Sequence, residues 1–190
     1  MSKKYFEDQT FEGQTFTNDD LEIGDFENCY FENCTFTNAD LSAIHFIECG
    51  FKGCLFTTVN LNQTVFREVD FVECKAMGLH FEACNPFLFS IEFTDCNLEL
   101  SSFYEMDLRK TSFKNTILKE VDFTRSNLSG SIVEECDLSA AIFEYTNLVN
   151  TDLSTAHNFQ IDPELNKIKN ATFSKNALIG LLLKYGIKVV

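Results

Sequence analysis

The residues of this 190-residue sequence that could do chemistry are eight cysteines, three histidines and 29 acidic residues. Cysteines can bind zinc, but the sequence contains no pair with the C-x2-C spacing typical of zinc sites. His45, His80 and His157 occupy unrelated positions, and no grouping with serine, cysteine or aspartate indicates a catalytic site. We therefore expect a protein that is not an enzyme, with no metal site and no cofactor.

The acidic residues are the second chemical feature of the sequence. Set against 15 Lys and Arg residues, they give a net charge of -14. Such a surface repels nucleic acid and anionic membranes, so we expect neither as a partner. The N-terminal residues lack the apolar segment of a secretory signal, and the apolar stretch near 177–183 is shorter than the ~18 residues of a membrane-spanning helix. We expect a cytoplasmic protein with reduced cysteines.

A five-residue repeat must position these groups. Phe or Leu occupies all but two of the 30 positions that recur every fifth residue from 6 to 81 and from 88 to 153. This period fits neither a helix nor a strand, so the chain must turn a corner in each repeat. Leucines interrupt the phenylalanines every 20 residues, which predicts four repeats per coil. These leucines are Leu21, Leu41 and Leu61.

The cysteines recur two residues before the Phe or Leu position, where a second, smaller side chain would point inward. Core packing as free thiols explains all eight. A disulfide is the alternative, because cysteines 20 residues apart would stack about 4.8 Å apart. The cysteines at this position are Cys29, Cys34, Cys49, Cys54, Cys74, Cys96, Cys136 and, if the first register is extended, Cys84.

The register breaks near residues 82–88, because seven residues instead of five separate Phe81 from Leu88. Pro86 lies in this segment and cannot donate a ladder hydrogen bond. We predict a bulge or small corner loop here, and we assign Leu88 to the inward position that restarts the repeat.

The repeat resembles that of the pentapeptide-repeat family, A(D/N)LXX. The matching segments are Ala-Asp-Leu at 39–41, Ser-Asn-Leu at 126–128 and Cys-Asp-Leu at 136–138. This resemblance implies an all-β solenoid, a right-handed quadrilateral β-helix, and by itself implies no activity. We assign residues 1–155 to this β-helix and residues 156–190 to a C-terminal helical cap and dimerisation tail.

The tail sequence is typical of helices. Residues 162–164 predict one helix start, and a second helix is predicted from the N-cap Ser174 to Gly186, with Phe173 and Leu178 as a hydrophobic staple. Because this helix is apolar over more than one stripe, we expect it to cover the end of the solenoid and to form a homodimer. The predicted interface residues are Phe173, Leu178, Leu181, Leu182, Tyr185, Ile187 and Val189.

The charge belongs to the solenoid, since residues 1–160 hold 27 acidic and 10 basic residues and residues 161–190 hold 2 and 5. About 150 residues in coils of about 20 make a rod about 36 Å long. The rod carries about one net negative charge per 2.1 Å of its length, which is close to the value of about one per 1.7 Å of axis for duplex DNA. The rod could present itself to a DNA-binding enzyme as DNA. Solubility is the alternative explanation.

Three features are similar to the quinolone-resistance (Qnr-type) members of the family: residues 74–78, the discontinuity near Pro86 and the ending at 175–187. This resemblance implies a dimer joined by C-terminal helices, whose acidic, DNA-like surface binds type II topoisomerases. It implies competition with DNA at the gyrase gate and loosening of drug-stabilised cleavage complexes. Members of one kind carry long loops that help protection, whereas this chain has a two-residue interruption.

We therefore predict a partner, DNA gyrase or topoisomerase IV, that the protein protects from fluoroquinolones or other gyrase poisons. A twofold enzyme gate would meet the dimer near its axis, so the contacts are predicted at the acidic residues nearest the tail. These are Asp122, Glu134, Glu135, Asp137, Glu144 and Asp152. The alternative is a structural scaffold that binds another protein, its acidity serving solubility.

Overall fold

The computed structural model describes residues 4–18, 21, 24–109 and 111–188. These residues form sixteen short strands, three 3₁₀ helices and a series of isolated bridges, with parallel pairing throughout. Within this described part, no helix is both long and apolar enough to cross a membrane. The architecture is a β-solenoid.

Four ladders run along the solenoid, and each defines one face. Face 1 contains β1 (Lys4–Glu7), β4 (Gly24–Glu27), β7 (His45–Ile47) and β10 (Val65–Arg67). Face 2 contains β2 (Thr10–Glu12), β5 (Tyr30–Glu32), β8 (Gly50–Lys52), β11 (Val69–Val72), β12 (Ile91–Thr94), β13 (Ser112–Lys114), β14 (Ile132–Glu134), β15 (Asp152–Leu153) and β16 (Thr172–Phe173). Face 3 contains β3 (Thr15–Phe16), β6 (Thr35–Thr37) and β9 (Leu55–Thr57). Face 4 is built from bridges such as that between Asp40 and Asn60, and bridges also continue faces 1 and 3.

In most repeats the corner is a residue with positive φ. Asn28, Asn33 and Asn38, at three successive corners, have φ of 50°, 52° and 50°. This region is sterically restricted for most residues and is tolerated best by Gly, Asn and Asp. Phe31 pairs with Phe11 on one side and with Phe51 on the other, each 20 residues away. The prediction of four repeats per coil is therefore confirmed, while the right-handed quadrilateral form stays a prediction.

The core consists of phenylalanine columns that follow the faces. Phe31, Phe51 and Phe71 are buried on face 2, with ring centroids 4.8 and 4.9 Å apart. The rings stack face to face because the spacing between parallel strands, about 4.8 Å, is also a favourable distance between offset aromatic rings. The five-residue period thus places one large ring per face in every coil.

The break in register has the predicted length but a different inward residue. Phe71 pairs with Phe51 at an offset of 20 residues and with Phe93 at an offset of 22. Asn85 still donates its N–H to Thr64 O, so the two extra residues lie between Asn85 and Ser90. The prediction that Leu88 points inward was wrong: it has φ of 58° and is 55% exposed.

Phe89 takes the inward position that Leu88 was predicted to fill. Its ring packs edge-on against Phe66, with centroids 6.5 Å apart. The physical reason is the turn that begins at Pro86, which delays the return of the chain to the core by one residue. Phe87 is 74% exposed on this turn.

The ladders continue past residue 155, the predicted end of the solenoid. His157 bridges to Asp137, Lys167 bridges to Asn147, and β16 pairs with β15. The predicted helix start at residues 162–164 is instead a single turn, in which Glu164 N–H donates to Asp162 Oδ1 at 2.8 Å. The tail is therefore shorter than predicted, and β16 belongs to the solenoid.

The end of the tail consists of 3₁₀ helices, where an α-helix was predicted. After η1 (Phe81–Ala83) in the solenoid, η2 (Lys175–Leu181) and η3 (Leu183–Tyr185) follow β16. The predicted caps are present: Ser174 Oγ accepts from Ala177 N–H, and Gly186 has φ of 61°. Gly180 O accepts from Ile161 N–H at 3.0 Å, and because this carbonyl bonds to the last coil, it does not extend an α-helix.

Candidate protein-binding surface

The six acidic residues predicted to bind a topoisomerase lie on three different faces. Glu134, Glu135 and Asp152 belong to face 2, and Asp137 belongs to face 3. On face 4, Asp122 pairs with Ile142, whose repeat also carries Glu144. The structure therefore does not bring the six together, although it leaves the three glutamates and Asp152 exposed.

The three aspartates of this set also have a structural role in their own turns. Thr124 N–H donates to Asp122 Oδ1 at 2.8 Å, and Ser154 N–H donates to Asp152 Oδ1 at 2.9 Å. Such side-chain turns are the physical reason for Asp or Asn at this position of the repeat. The glutamates Glu134, Glu135 and Glu144 are therefore the better candidates for contacts with a partner.

Asp137 is the most constrained of the six. Its Oδ1 accepts from Ser139 N–H at 3.0 Å, from Ser139 Oγ at 2.6 Å and from Asn158 Nδ2 at 2.8 Å. Partial burial opposes ionisation, but the hydrogen bonds from Ser139 and Asn158 outweigh it, so the pKa of Asp137 lies below its usual value. This carboxylate is ionised but already bound, which makes it a poor contact for a partner.

Net negative charge is largest on faces 2 and 4, which are separated by a face on each side. Face 2 carries Glu12, Glu32, Asp70, Glu73, Glu92, Asp95, Glu134, Glu135 and Asp152, against Lys52 and Lys114. The described acidic residues of face 4 are Asp40, Glu82, Glu105, Asp122, Glu144, Asp162 and Glu164, against Arg125. Face 1 mixes both signs, and face 3 carries few charges. The solenoid thus has two acidic strips.

Ion pairs between coils neutralise part of this charge. Lys119 Nζ lies 2.9 Å from Glu99 Oε1, and Arg125 Nη1 lies 2.9 Å from Glu105 Oε1. In the tail, Lys184 pairs with Asp162. Exposed pairs of this kind contribute little to stability, typically about 0–1 kcal/mol, so their main effect is on the local field.

The tail exposes most of the residues predicted to form a dimer. Four of these side chains are exposed to solvent in the single chain: Leu178, Leu182, Tyr185 and Ile187. Phe173 and Leu181 instead pack against the core, and the Phe173 ring lies 5.4 Å from that of Phe159. Two open grooves, of about 700 and 550 Å³, flank the tail. Val189 lies outside the described residues.

The histidines remain apart in space. His45 Nδ1 lies 2.8 Å from Asp25 on face 1, and His80 Nδ1 lies 2.9 Å from Glu82 on face 4. His157 is exposed on face 3. Among the described residues, no three side chains of the types that bind metals are grouped closely enough to hold an ion.

All eight cysteines are free and buried, as the packing interpretation predicted. Seven of these thiols donate to backbone carbonyls of the adjacent coil, as Cys54 Sγ does to Phe31 O at 3.2 Å. Burial raises the pKa of Cys49 to about 11 and that of Cys136 to about 12. Because the thiolate is the reactive form, Cys49 and Cys136 should be inert in the native protein at neutral pH, and burial shields all eight thiols from reagents in solution.

A thiol titration tests this arrangement. In Ellman's assay under reducing-agent-free conditions, we expect less than one reactive thiol per native chain and all eight after denaturation in guanidinium chloride. Fewer than eight after denaturation would indicate disulfides. Rapid reaction of several thiols in the native state would contradict the buried positions.

These features define a class: an acidic solenoid of parallel five-residue repeats with a filled core. A sequence model of the pentapeptide repeat region matches residues 24–86 and 44–123, and a second, for eight copies of the pentapeptide repeat, matches residues 122–157. The chain therefore belongs to the pentapeptide-repeat family, as its motifs predicted. A search of curated protein sequences finds no significant match.

Solved structures similar to this chain include two proteins with different roles. QnrB1, a plasmid-mediated fluoroquinolone resistance protein, is 20% identical, with 97% of this chain and 100% of that chain covered and a TM-score of 0.47. HetL, a protein involved in heterocyst differentiation regulation from the cyanobacterium Nostoc sp. strain PCC 7120, is 14% identical, with 87% and 86% covered and a TM-score of 0.43. Both proteins have low sequence identity to this chain.

Face 4 also carries a group of exposed apolar residues that was not predicted from the sequence. Ile142, Tyr145 and Leu165 are solvent-exposed there, near Glu144. The signal was present in the repeat, since Ile142 and Tyr145 occupy outward positions that are polar in most other repeats. The position of Leu165 next to this repeat follows only from the stacking of coils.

Proposed function

We propose that this protein binds a type II topoisomerase, DNA gyrase or topoisomerase IV, as a mimic of DNA and protects it from fluoroquinolones or other gyrase poisons. It acts as a binding protein rather than an enzyme, in the cytoplasm, where its partner works. The observation that supports this proposal is the pair of acidic strips on faces 2 and 4. A DNA duplex likewise carries its charge on two strands.

The dimensions agree with this proposal. The nine strands of face 2 span eight intervals of about 4.8 Å, or about 38 Å, close to one turn of duplex DNA. An enzyme surface that binds phosphates with Lys and Arg side chains would meet carboxylates at comparable density. Binding should therefore weaken steeply as the salt concentration rises.

Competition for the enzyme tests the proposal. A labelled DNA duplex bound to purified gyrase should be displaced by the protein at low salt, and the displacement should need more protein as salt is raised. A protein of equal net charge and unrelated fold serves as the control for nonspecific electrostatics. If the protein leaves the DNA bound at a tenfold excess over gyrase, the proposed function is wrong.

We also propose that the protein is a homodimer through its tail. Leu182 is 36% exposed between η2 and η3, and a leucine at an interface would be buried by the second copy. Leu182→Glu should convert a species of twice 21.7 kDa into one of 21.7 kDa in sedimentation velocity. Leu55→Glu, at a 40% exposed leucine of face 3, is the matched control and should leave the dimer intact.

The alternative function is a scaffold for another protein, and face 3 is the observation that favours it. Leu55, Met77 and Ile117 are exposed on this face, which carries few charges and is not DNA-like. A scaffold of this kind should have no effect on a topoisomerase at stoichiometric concentration.

A further inference from the structure

We propose that one small area of face 4, the Tyr145 patch, is the part of the surface that anchors the topoisomerase. This inference rests on the proposed function and assigns its contact site. The patch combines exposed apolar side chains with a carboxylate on one face, near the tail. Its residues are Ile142, Glu144, Tyr145 and Leu165.

The patch differs from the equivalent repeat on face 2 in composition. Residues 131–135 and 141–145 align position by position, with isoleucine before the inward residue and glutamate after it. Ile132 and Ile142 are almost equally exposed, at 45% and 44%. The corner residue is Glu135 on face 2, whereas on face 4 it is Tyr145, which is 62% exposed.

The neighbouring coil also distinguishes the two repeats. On face 2, Lys114 is the ladder partner of Glu134, so the residue at the same position of the neighbouring coil is a lysine. On face 4 the residue at the equivalent position of the neighbouring coil is Thr124, which is uncharged. The two coils are joined here by the hydrogen bond from Arg125 N–H to Glu144 O, at 2.8 Å.

Two cations also belong to this region. Lys184 lines the same groove as Glu144 and is paired with Asp162 and Glu164. Arg125, the residue after Thr124, is paired with Glu105. Because both cations are already paired with other carboxylates, Glu144 keeps its negative field.

The patch continues into the tail. Ile142, Glu144 and Leu165 line a groove of about 550 Å³ whose other wall is formed by Leu181 and Lys184. The tail is held at this edge of face 4, because Lys184 bonds Asp162 and Tyr185 Oη donates to Glu164 Oε1 at 2.9 Å. The patch therefore lies next to the surface that we propose for the dimer.

This composition fits a protein partner with basic and apolar side chains. Tyrosine at the centre of an interface is commonly a large contributor to affinity, and charged groups at the rim select a partner of opposite charge. Charge alone would serve to occupy a DNA-binding surface, but it supplies little specific affinity. The Tyr145 patch adds apolar contact area at a defined place on the acidic rod.

Matched double variants test this inference in the competition assay with gyrase and labelled DNA. Ile142→Ser with Glu144→Lys should weaken binding at least about tenfold, and Tyr145→Ala alone should weaken it about tenfold or more. Ile132→Ser with Glu134→Lys makes the same chemical change at the same repeat positions on face 2. Because Glu134 belongs to the face 2 acidic strip, we expect this variant to lose electrostatic attraction, about threefold, without the larger loss that we expect at the Tyr145 patch. Circular dichroism and thermal melting should be unchanged in all variants, since these side chains lie outside the core.

The outcomes separate the inference from the proposed function. Equal losses in the two double variants, or a larger loss from the face 2 variant, would overturn the inference while the unmodified protein still displaced DNA. No displacement by the unmodified protein would overturn both.

Discussion

Replacing Phe51 by alanine should lower the free energy of unfolding by about 3–5 kcal/mol. The ring is buried in the middle of the face 2 column, between Phe31 and Phe71 at centroid distances of 4.8 and 4.9 Å. It also meets Phe46 edge-on in the same coil, at 5.3 Å. Alanine would remove contacts with the coils on both sides and leave a cavity in a core of rigid strands, which cannot collapse to fill it.

Guanidinium denaturation followed by circular dichroism measures this effect. Phe51→Leu should be milder, because leucine fills inward positions elsewhere in the solenoid. Phe87→Ala is the control at an exposed ring and should change stability by less than about 0.5 kcal/mol. A loss below about 1 kcal/mol for Phe51→Ala would contradict the stacked column as the main source of stability.

Gly180→Ala should detach the tail from the solenoid and lower the free energy of unfolding by about 1–3 kcal/mol. A Cβ at this position would collide with Phe159 O and would lie 2.7 Å from two carbons of the Phe159 ring. The backbone cannot retreat without breaking the hydrogen bond from Ile161 N–H to Gly180 O. The nearest obstacle, Phe159 O, is a backbone atom, so rearrangement of the Phe159 side chain alone cannot relieve the collision.

Limited proteolysis and chemical denaturation would report this detachment. In Gly180→Ala the segment from 174 to 188 should become cleavable while the solenoid stays resistant. Gly186→Ala is the control in the same tail, because a Cβ added at Gly186 would have no other atom within 4 Å. The positive φ of Gly186 should make this change cost about 1 kcal/mol or less, with the tail still docked. Equal resistance of Gly180→Ala and the unmodified protein would show that the tail does not depend on this contact.

The solenoid was predictable because its physics is local and repeated. Each five-residue unit needs one large inward residue and a corner, and both can be recognised in the sequence of nearly every repeat. The exchange of Phe89 for Leu88 was not predictable, since it depends on where the chain re-enters the core after Pro86. The 3₁₀ conformation of the tail was likewise not predictable from the sequence, because it depends on the tertiary hydrogen bond between Ile161 and Gly180.

The candidate site was predictable in kind but not in place. The acidic residues were chosen by their nearness to the tail along the chain, yet each step of five residues moves a side chain to the next face. Glu134 and Glu144 have the same position in their repeats but are two faces apart. The register determines which acidic residues share a surface. The exposed Tyr145 beside Glu144 could be recognised as a candidate contact only after the faces were assigned.

The most direct test of the central claim is a supercoiling titration of purified DNA gyrase with this protein, with and without a fluoroquinolone. We expect the protein to restore supercoiling in the presence of the drug when the protein is at low concentration, and to inhibit the enzyme when the protein is at micromolar concentration. The Phe51→Leu variant, which keeps the acidic surface, should behave like the unmodified protein. If a folded protein neither rescues nor inhibits gyrase in either arm, the acidic strips do not serve as a DNA mimic for this enzyme.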